Sequence, residues 1–228
     1  MNMKSLIIRA CLPLAAAAAL VSCNTGEQTL YYNSYMTAVE TEGQPYRCIF
    51  VTDDSTTVIP LNFFPNIEDL KTDDRIIATF SIPSGRITDP VEVEFTSMAQ
   101  LLPQSVIMTS SPDTIANDPA DPMTMWHSGG VKGASRYLTV TFNVQASSSG
   151  IAHGICLVDD LSAENPDADG YYHLKFRHSA NNDPIMYTSA NVATFPLADK
   201  YSAPGIKGIK VDFRPITPGI DSTLTVTY

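Results

Sequence analysis

Histidines, clustered carboxylates and nucleophilic side chains are where chemistry would have to begin in this chain, and spacing weighs each of them. Four histidines stand at 127, 153, 173 and 178, enough for a metal site or a general base. His173 and His178 lie an odd number of residues apart, and in an extended strand that sends their side chains to opposite faces. They cannot both reach one ion without a bend. His178 keeps the parity of Tyr172, Leu174 and Phe176, and His153 that of Ile155 and Leu157, so both read as partly buried histidines satisfied by their neighbours. Arg177-His178 with Asn182-Asp183 after it reads as a strand-to-loop corner fixed by hydrogen bonds to backbone.

Asn165-Pro166-Asp167-Ala168-Asp169-Gly170 puts side-chain oxygens at alternate positions before a glycine, with Asp159, Asp160 and Glu164 just upstream. Asn165, Asp167 and Asp169 are therefore candidate calcium ligands. An EF-type loop would start on Asp and close with Glu at its twelfth position, where this chain has Phe176. Asx residues with Pro and Gly between strands are turn formers, and the turn is the stronger reading. The sequence holds no G-x-S-x-G elbow, phosphate-cradling glycine loop or dinucleotide fingerprint. No catalytic residue, metal or cofactor is assigned, and the chain is read as not an enzyme.

Chemistry of another kind is written at the start. Lys4 and Arg9 precede an apolar run from Ile7 to Val21, the charge-then-hydrophobe order of a secretory signal. The run is shorter than the roughly 20 apolar residues that span a bilayer. It ends in Leu20-Val21-Ser22-Cys23, which resembles the lipobox of bacterial lipoproteins, where the cysteine takes a diacylglycerol and the bond before it is cut. Residues 1–22 are then a signal peptide, Cys23 is the lipidation site and 23–29 a tether. Two or three acyl chains make such an anchor effectively stable. This places the ectodomain in the cell envelope, on the outer membrane, with its face, periplasmic or external, open.

The chain carries a formal charge of −10, or −12 once Lys4 and Arg9 are removed with the signal. Partners with phosphate backbones are disfavoured, because they call for clustered Lys and Arg. Cys11 leaves with the signal and Cys23 is lipidated. Cys48 and Cys156, far apart and each in an apolar run, read as free, small hydrophobes.

The elements that must position everything else are short strands. Apolar and polar residues alternate after Cys23, and 16 prolines and 12 glycines interrupt them. Val91, Val93 and Phe95 oppose Glu92 and Glu94; Leu138, Val140, Phe142 and Val144 oppose Thr139, Thr141 and Asn143. The same pattern recurs around Tyr172 to Arg177, Ile209 to Phe213 and Leu224 to Tyr228. Asn66 to Leu70 and Met98 to Leu102 could form a helical turn or two. From Ser111 to Pro122 three prolines and three aspartates forbid a strand interior, so the text divides there into a domain at 30–111, a linker at 112–122 and a domain at 123–228. The stretch from Cys23 to the linker holds four basic and twelve acidic residues, while the part after it is nearer to balance.

Trp126 behind an Asp-Pro run, the strand Tyr137 to Phe142, His153 leading to Leu157-Val158, Leu174-Lys175-Phe176-Arg177-His178 before Asn182-Asp183, and Val192 to Leu197 together resemble the NigD-like lipoproteins of Bacteroidetes. Phe50 to Asp54 and Asp73 to Ala78 fit as well. The resemblance implies an all-β protein, an N-terminal OB-type barrel followed by a C-terminal β-sandwich, and carries no established activity. His127-Ser128-Gly129-Gly130 departs from the hydrophobic residue often found after the tryptophan. An OB-type barrel suggests oligonucleotide binding, but the acidity of this half argues against nucleic acid. The function expected is a non-catalytic binding or accessory role toward an envelope protein or ligand. The alternatives are an envelope glycan or peptide hydrolase with His153 or His178 as base, and carbohydrate binding through Tyr31, Tyr32, Tyr35 or Trp126. For the 165–170 loop, the turn reading expects a melting temperature unmoved by millimolar calcium or chelator; a rise with calcium would make it a ligand loop instead.

Overall fold

The protein is described by a computed structural model covering residues 29–41, 48–62 and 70–228. The signal segment, Cys23 and residues 66–69 of the first expected helical turn lie outside the described residues. Strands are nearly all of the regular structure in the described chain, with two short 3-10 turns beside them. Five strands, β1 (Tyr31–Thr41), β2 (Cys48–Thr52), β3 (Thr57–Pro60), β4 (Arg75–Ser81) and β5 (Val91–Leu101), close into a barrel in the order β1-β2-β3-β5-β4. β3 and β5 run parallel and the other pairs antiparallel. Alternation does the sorting: Val91, Val93 and Phe95 are buried with Met36, Phe50, Ile76 and Phe80, while Glu92 and Glu94 face water. This is the OB-type barrel. Met98 to Leu101 continue β5 in register with β4, so the helical turn expected at Met98 to Leu102 is corrected to strand, because pairing along the barrel outweighs local preference.

The remaining strands are β6 (Ser105–Thr109), β7 (Asp121–Ser128), β8 (Tyr137–Ala146), β9 (Gly154–Asp160), β10 (Tyr171–Ser179), β11 (Tyr187–Pro196), β12 (Gly208–Asp212) and β13 (Thr223–Thr227). They form two facing sheets, β13-β12-β10-β9-β6 and β11-β8-β7. Leu138, Val140, Phe142 and Val144 of β8 meet Leu157, Leu174, Phe176, Ile209 and Val211 across the core. Phe176 stacks on Phe213 at 4.4 Å between ring centres.

The domain boundary needs correction. β6 lies inside the expected 30–111 domain but pairs in parallel with β9, so the second unit begins near residue 105 and not at 123. Residues 112–122 are not a free linker either. Ala120 and Pro112 are buried, Asp118 N–H donates to His178 O at 2.8 Å, and Asp121 accepts from Ile216 and Thr217. Proline and aspartate here shape a crossover packed on the sandwich, because their lost ladder bonds are replaced by side-chain caps.

Barrel and sandwich are joined by one buried cation. Arg75, 0% exposed, makes a two-pronged ion pair with Asp53 at 2.5 and 2.8 Å, and reaches Thr37 at 3.0 Å and Thr139 of β8 at 3.2 Å. The Trp126 indole N–H donates to the same Asp53 carboxylate at 2.7 Å, and the Tyr137 hydroxyl donates to Asp73 O at 2.7 Å. Gly129 turns the β7–β8 connection at φ +78, where a Cβ would stand 1.9 Å from Ser135 O. Replacing Asp53 by Ala leaves the guanidinium buried without its counter-charge. A loss of about 3–5 kcal/mol in urea unfolding is expected; a loss below about 1 kcal/mol, the scale of an exposed pair, would contradict this reading of the joint.

Candidate binding groove

Two loops and a strand end meet at one end of the sandwich. The β8–β9 connection carries Ser147, Ser149, Ile151 and His153, the end of β10 carries His178, and the β10–β11 connection carries Asn181, Asn182 and Asp183. Asn181 and Asn182 turn the chain at φ 51 and 63, a left-handed conformation that asparagine tolerates better than most residues. That turn delivers Asp183 against the β8–β9 connection.

Asp183 is the hub. One carboxylate oxygen accepts from the Ser147 hydroxyl and from the Ser149 hydroxyl at 2.5 Å. The other accepts from Ser147 N–H at 2.7 Å and meets His153 Nε2 at 3.2 Å. His153 Nδ1 lies 2.9 Å from His178 Nε2, and His178 Nδ1 lies 3.2 Å from Pro119 O. A carbonyl and a carboxylate can only accept, so His178 Nδ1 donates to Pro119 O and His153 Nε2 to Asp183, and the rings meet through their two remaining nitrogens. Burial, and then the charge of His153, push His178 below the usual histidine range. Hydrogen bonds from Ser147 and Ser149 hold the Asp183 carboxyl well below the usual carboxylate range.

This group borders a groove of about 310 Å³. The groove opens between the sheets where β11 and β6 part, and its walls include Gln104, Phe142, Val144, Ile155, Ser189 and Asn191. Ser189 and Asn191 pair with Val144 and Phe142 and so share their inward face. Ile151 lines it and is exposed, and Ile185, Met186 and Tyr187, on the chain between Asp183 and Ser189, are exposed too, Ile185 and Met186 by 70% each.

The structure brings together His153 and His178 from the sequence-derived candidates, and adds Asp183 as their partner; Ser147 and Ser149, with no motif around them, went unremarked. His173 faces the other way, as its parity required, and bonds Asp167 at 2.7 Å. His127 packs edge-on to Tyr228 at 4.9 Å, with burial first and Arg136 second pulling its titration downward. In the 165–170 loop Asn165 exchanges two hydrogen bonds with the His173 backbone, and Asp167 accepts from Tyr171 N–H and Lys210. Asp169 lies 3.9 Å from Lys210. Among the described residues no group of three or more His, Cys, Asp or Glu is set to hold a metal. Tyr32 stacks on Phe80 inside the barrel, and Tyr35 meets Trp126 at 5.2 Å beside the Arg75 joint. Cys48 and Cys156 are free, and burial pushes both thiols upward.

A closed five-stranded barrel followed by a two-sheet sandwich with a groove at its open edge defines a two-module β-protein. Residues 104–228, more than half of the chain, match the NigD-like C-terminal beta sandwich domain; the chain belongs to the NigD-like family. Solved structures share the whole arrangement. A protein of unknown function from Bacteroides vulgatus is 21% identical with a TM-score of 0.69, covering 87% of this chain and 90% of its own. A NigD-like immunity protein from Bacteroides caccae is 20% identical with a TM-score of 0.58, covering 85% and 90%. A candidate lipoprotein from Bacteroides fragilis is 10% identical with a TM-score of 0.59, covering 87% and 96%. No curated protein matches.

Both shifted groups in the hub favour the fold at neutral pH. His178 titrates lower when folded, so stability is full above the ordinary histidine value of about 6.5 and falls as pH drops through it. Asp183 titrates lower when folded, so its share is lost as pH falls below about 4. Urea midpoints are expected to decline in both windows, and His178→Gln to remove the first decline only. A midpoint flat from pH 7 to 5 would contradict the assignment.

Proposed function

We propose that this is a lipid-anchored cell-envelope protein, held to the outer membrane through Cys23, whose ectodomain works by binding with the sandwich groove as its contact site. The observation that carries the reading is the groove itself: inward positions of a sheet given to Ser189 and Asn191, with exposed Ile151 in its lining and exposed Ile185, Met186 and Tyr187 on the chain between its lining residues Asp183 and Ser189. Exposed apolar side chains around a concave site with a few polar groups are the usual anatomy of a contact surface.

The hydrolase alternative has its histidine, carboxylate and hydroxyls in one wall of the same groove, which makes it worth stating. Both serine hydroxyls, however, lie on Asp183 and neither on an imidazole, whereas a nucleophile has to give its proton to the base. Both nitrogens of His153 are engaged as well. Carbohydrate binding would want aromatic faces in the wall, and Tyr35 with Trp126 are taken up by the barrel joint.

Two measurements test the proposal in cells. Cys23→Ala is expected to move the protein from the membrane to the soluble envelope fraction. A photo-crosslinking residue at Ile151 or Met186 is expected to give adducts that the same residue at Glu92, on the barrel exterior, does not. Equal labelling from all three positions would contradict a contact site in the groove.

A further inference from the structure

We propose that the groove takes an extended polypeptide segment, which adds to β11 as a new edge strand. The inference rests on the groove being the contact site and names the kind of partner. Two hydrogen bonds fix the direction of every peptide group along β11. Leu197 N–H donates to Arg136 O at 2.9 Å, toward the β8 side, and Thr194 O accepts from Gln104 N–H at 2.7 Å on the opposite side. The β11–β8 register runs without a shift from Tyr187 to Pro196. Peptide groups in an antiparallel strand alternate sides, so Ser189, Asn191 and Ala193 bond β8, while Thr188, Ala190 and Val192 point outward.

Among the described residues this outer edge is used once. Gln104 docks on Thr194, and β6 then turns away to pair with β9. Beyond that point the outward groups of Ala190 and Val192 have no backbone partner among the described residues, and Val192 lines the groove. An incoming strand would prolong the seam that Gln104 and Thr194 begin. Outward groups on one strand recur about every 7 Å, the repeat of two residues in any other strand, a spacing that main chain matches and sugars or small molecules do not.

The walls describe the segment's side chains. Ser189, Asn191 and Gln104 are uncharged, and Phe142, Val144 and Ile155 are apolar. Asp183, the one carboxylate in the wall, is already paired with His153. Nothing there calls for a charge, so the segment is uncharged where it enters, with small or aliphatic residues at alternate positions. Main-chain bonds with alternate side-chain pockets are the general mode of strand addition.

The probe is a phage-displayed library of linear dodecapeptides selected on the mature protein. Peptides with alternating aliphatic residues are expected to be enriched, and to slow amide exchange at Ala190 and Val192 in the wild-type protein. Ala190→Pro removes an outward N–H without touching the β8 ladder and is expected to weaken binding roughly fivefold or more, while Ala190→Val leaves it unchanged. Ser189→Trp, which fills the groove, should weaken it too. Loss with Ser189→Trp but not with Ala190→Pro, and no new amide protection, overturns strand addition and leaves the groove as the contact site. Binding indifferent to both variants overturns the contact site as well. No enriched peptide, or self-association of the protein that Ala190→Pro abolishes, overturns the peptide partner.

Discussion

A peptide N–H or C=O taken from water must find a partner, and where the regular structure of the described residues is nearly all strand that requirement governs the architecture. The barrel meets it by closing, so that each of its five strands has two neighbours. The sandwich has two open sheets and cannot. It brings β13 beside β7 at one margin, and at the other it sets Gln104 on Thr194. There the contact stops after one bond, because β6 is already committed to β9. The groove is the geometric consequence: two sheet edges that touch at one end and separate toward the other.

What keeps them apart is polar. Hydrophobic side chains at the inward positions of Ser189 and Asn191 would draw the sheets together over Phe142 and Val144. The Asp183 hub works in the same direction, fixing the loops that frame the mouth through four hydrogen bonds to one carboxylate. Those bonds satisfy both carboxylate oxygens, which is how a buried carboxylate can be tolerated in the wall at all. At the far side of β8 the Arg75–Asp53 pair does a different job. By bonding Thr37 and Thr139 together it couples barrel and sandwich.

The strands could be read from the sequence wherever one face was buried and the other wet, as in Val91 to Phe95 and Leu138 to Val144. β6 could not. Ser105 to Thr109 has the composition of a barrel strand and sits before a proline-rich segment, so only its long-range pairing with β9 reveals its allegiance. The proline and aspartate run was misjudged as a linker for a related reason: caps that replace ladder bonds look, in sequence, like solvent-facing turns. Parity separated His173 from His178 correctly, yet gave no hint that His153 would lie beside His178, since that contact depends on the register of β9 against β10. Asp183 was visible as part of a corner, though not as the residue that ties the β10–β11 connection to the β8–β9 connection. The polar inward positions of β11 left no signal, because Ser189 and Asn191 are ordinary residues until the strand's neighbour is known.

The alternation of free and bonded peptide groups along β11 can be measured directly by amide hydrogen exchange resolved by residue in the unliganded protein. Ser189 and Asn191 should be protected by β8, while Ala190 and Val192 between them should exchange at rates close to those of exposed amides. Uniform protection across all four would mean that the edge is already covered, and the groove would lose its role as an open site.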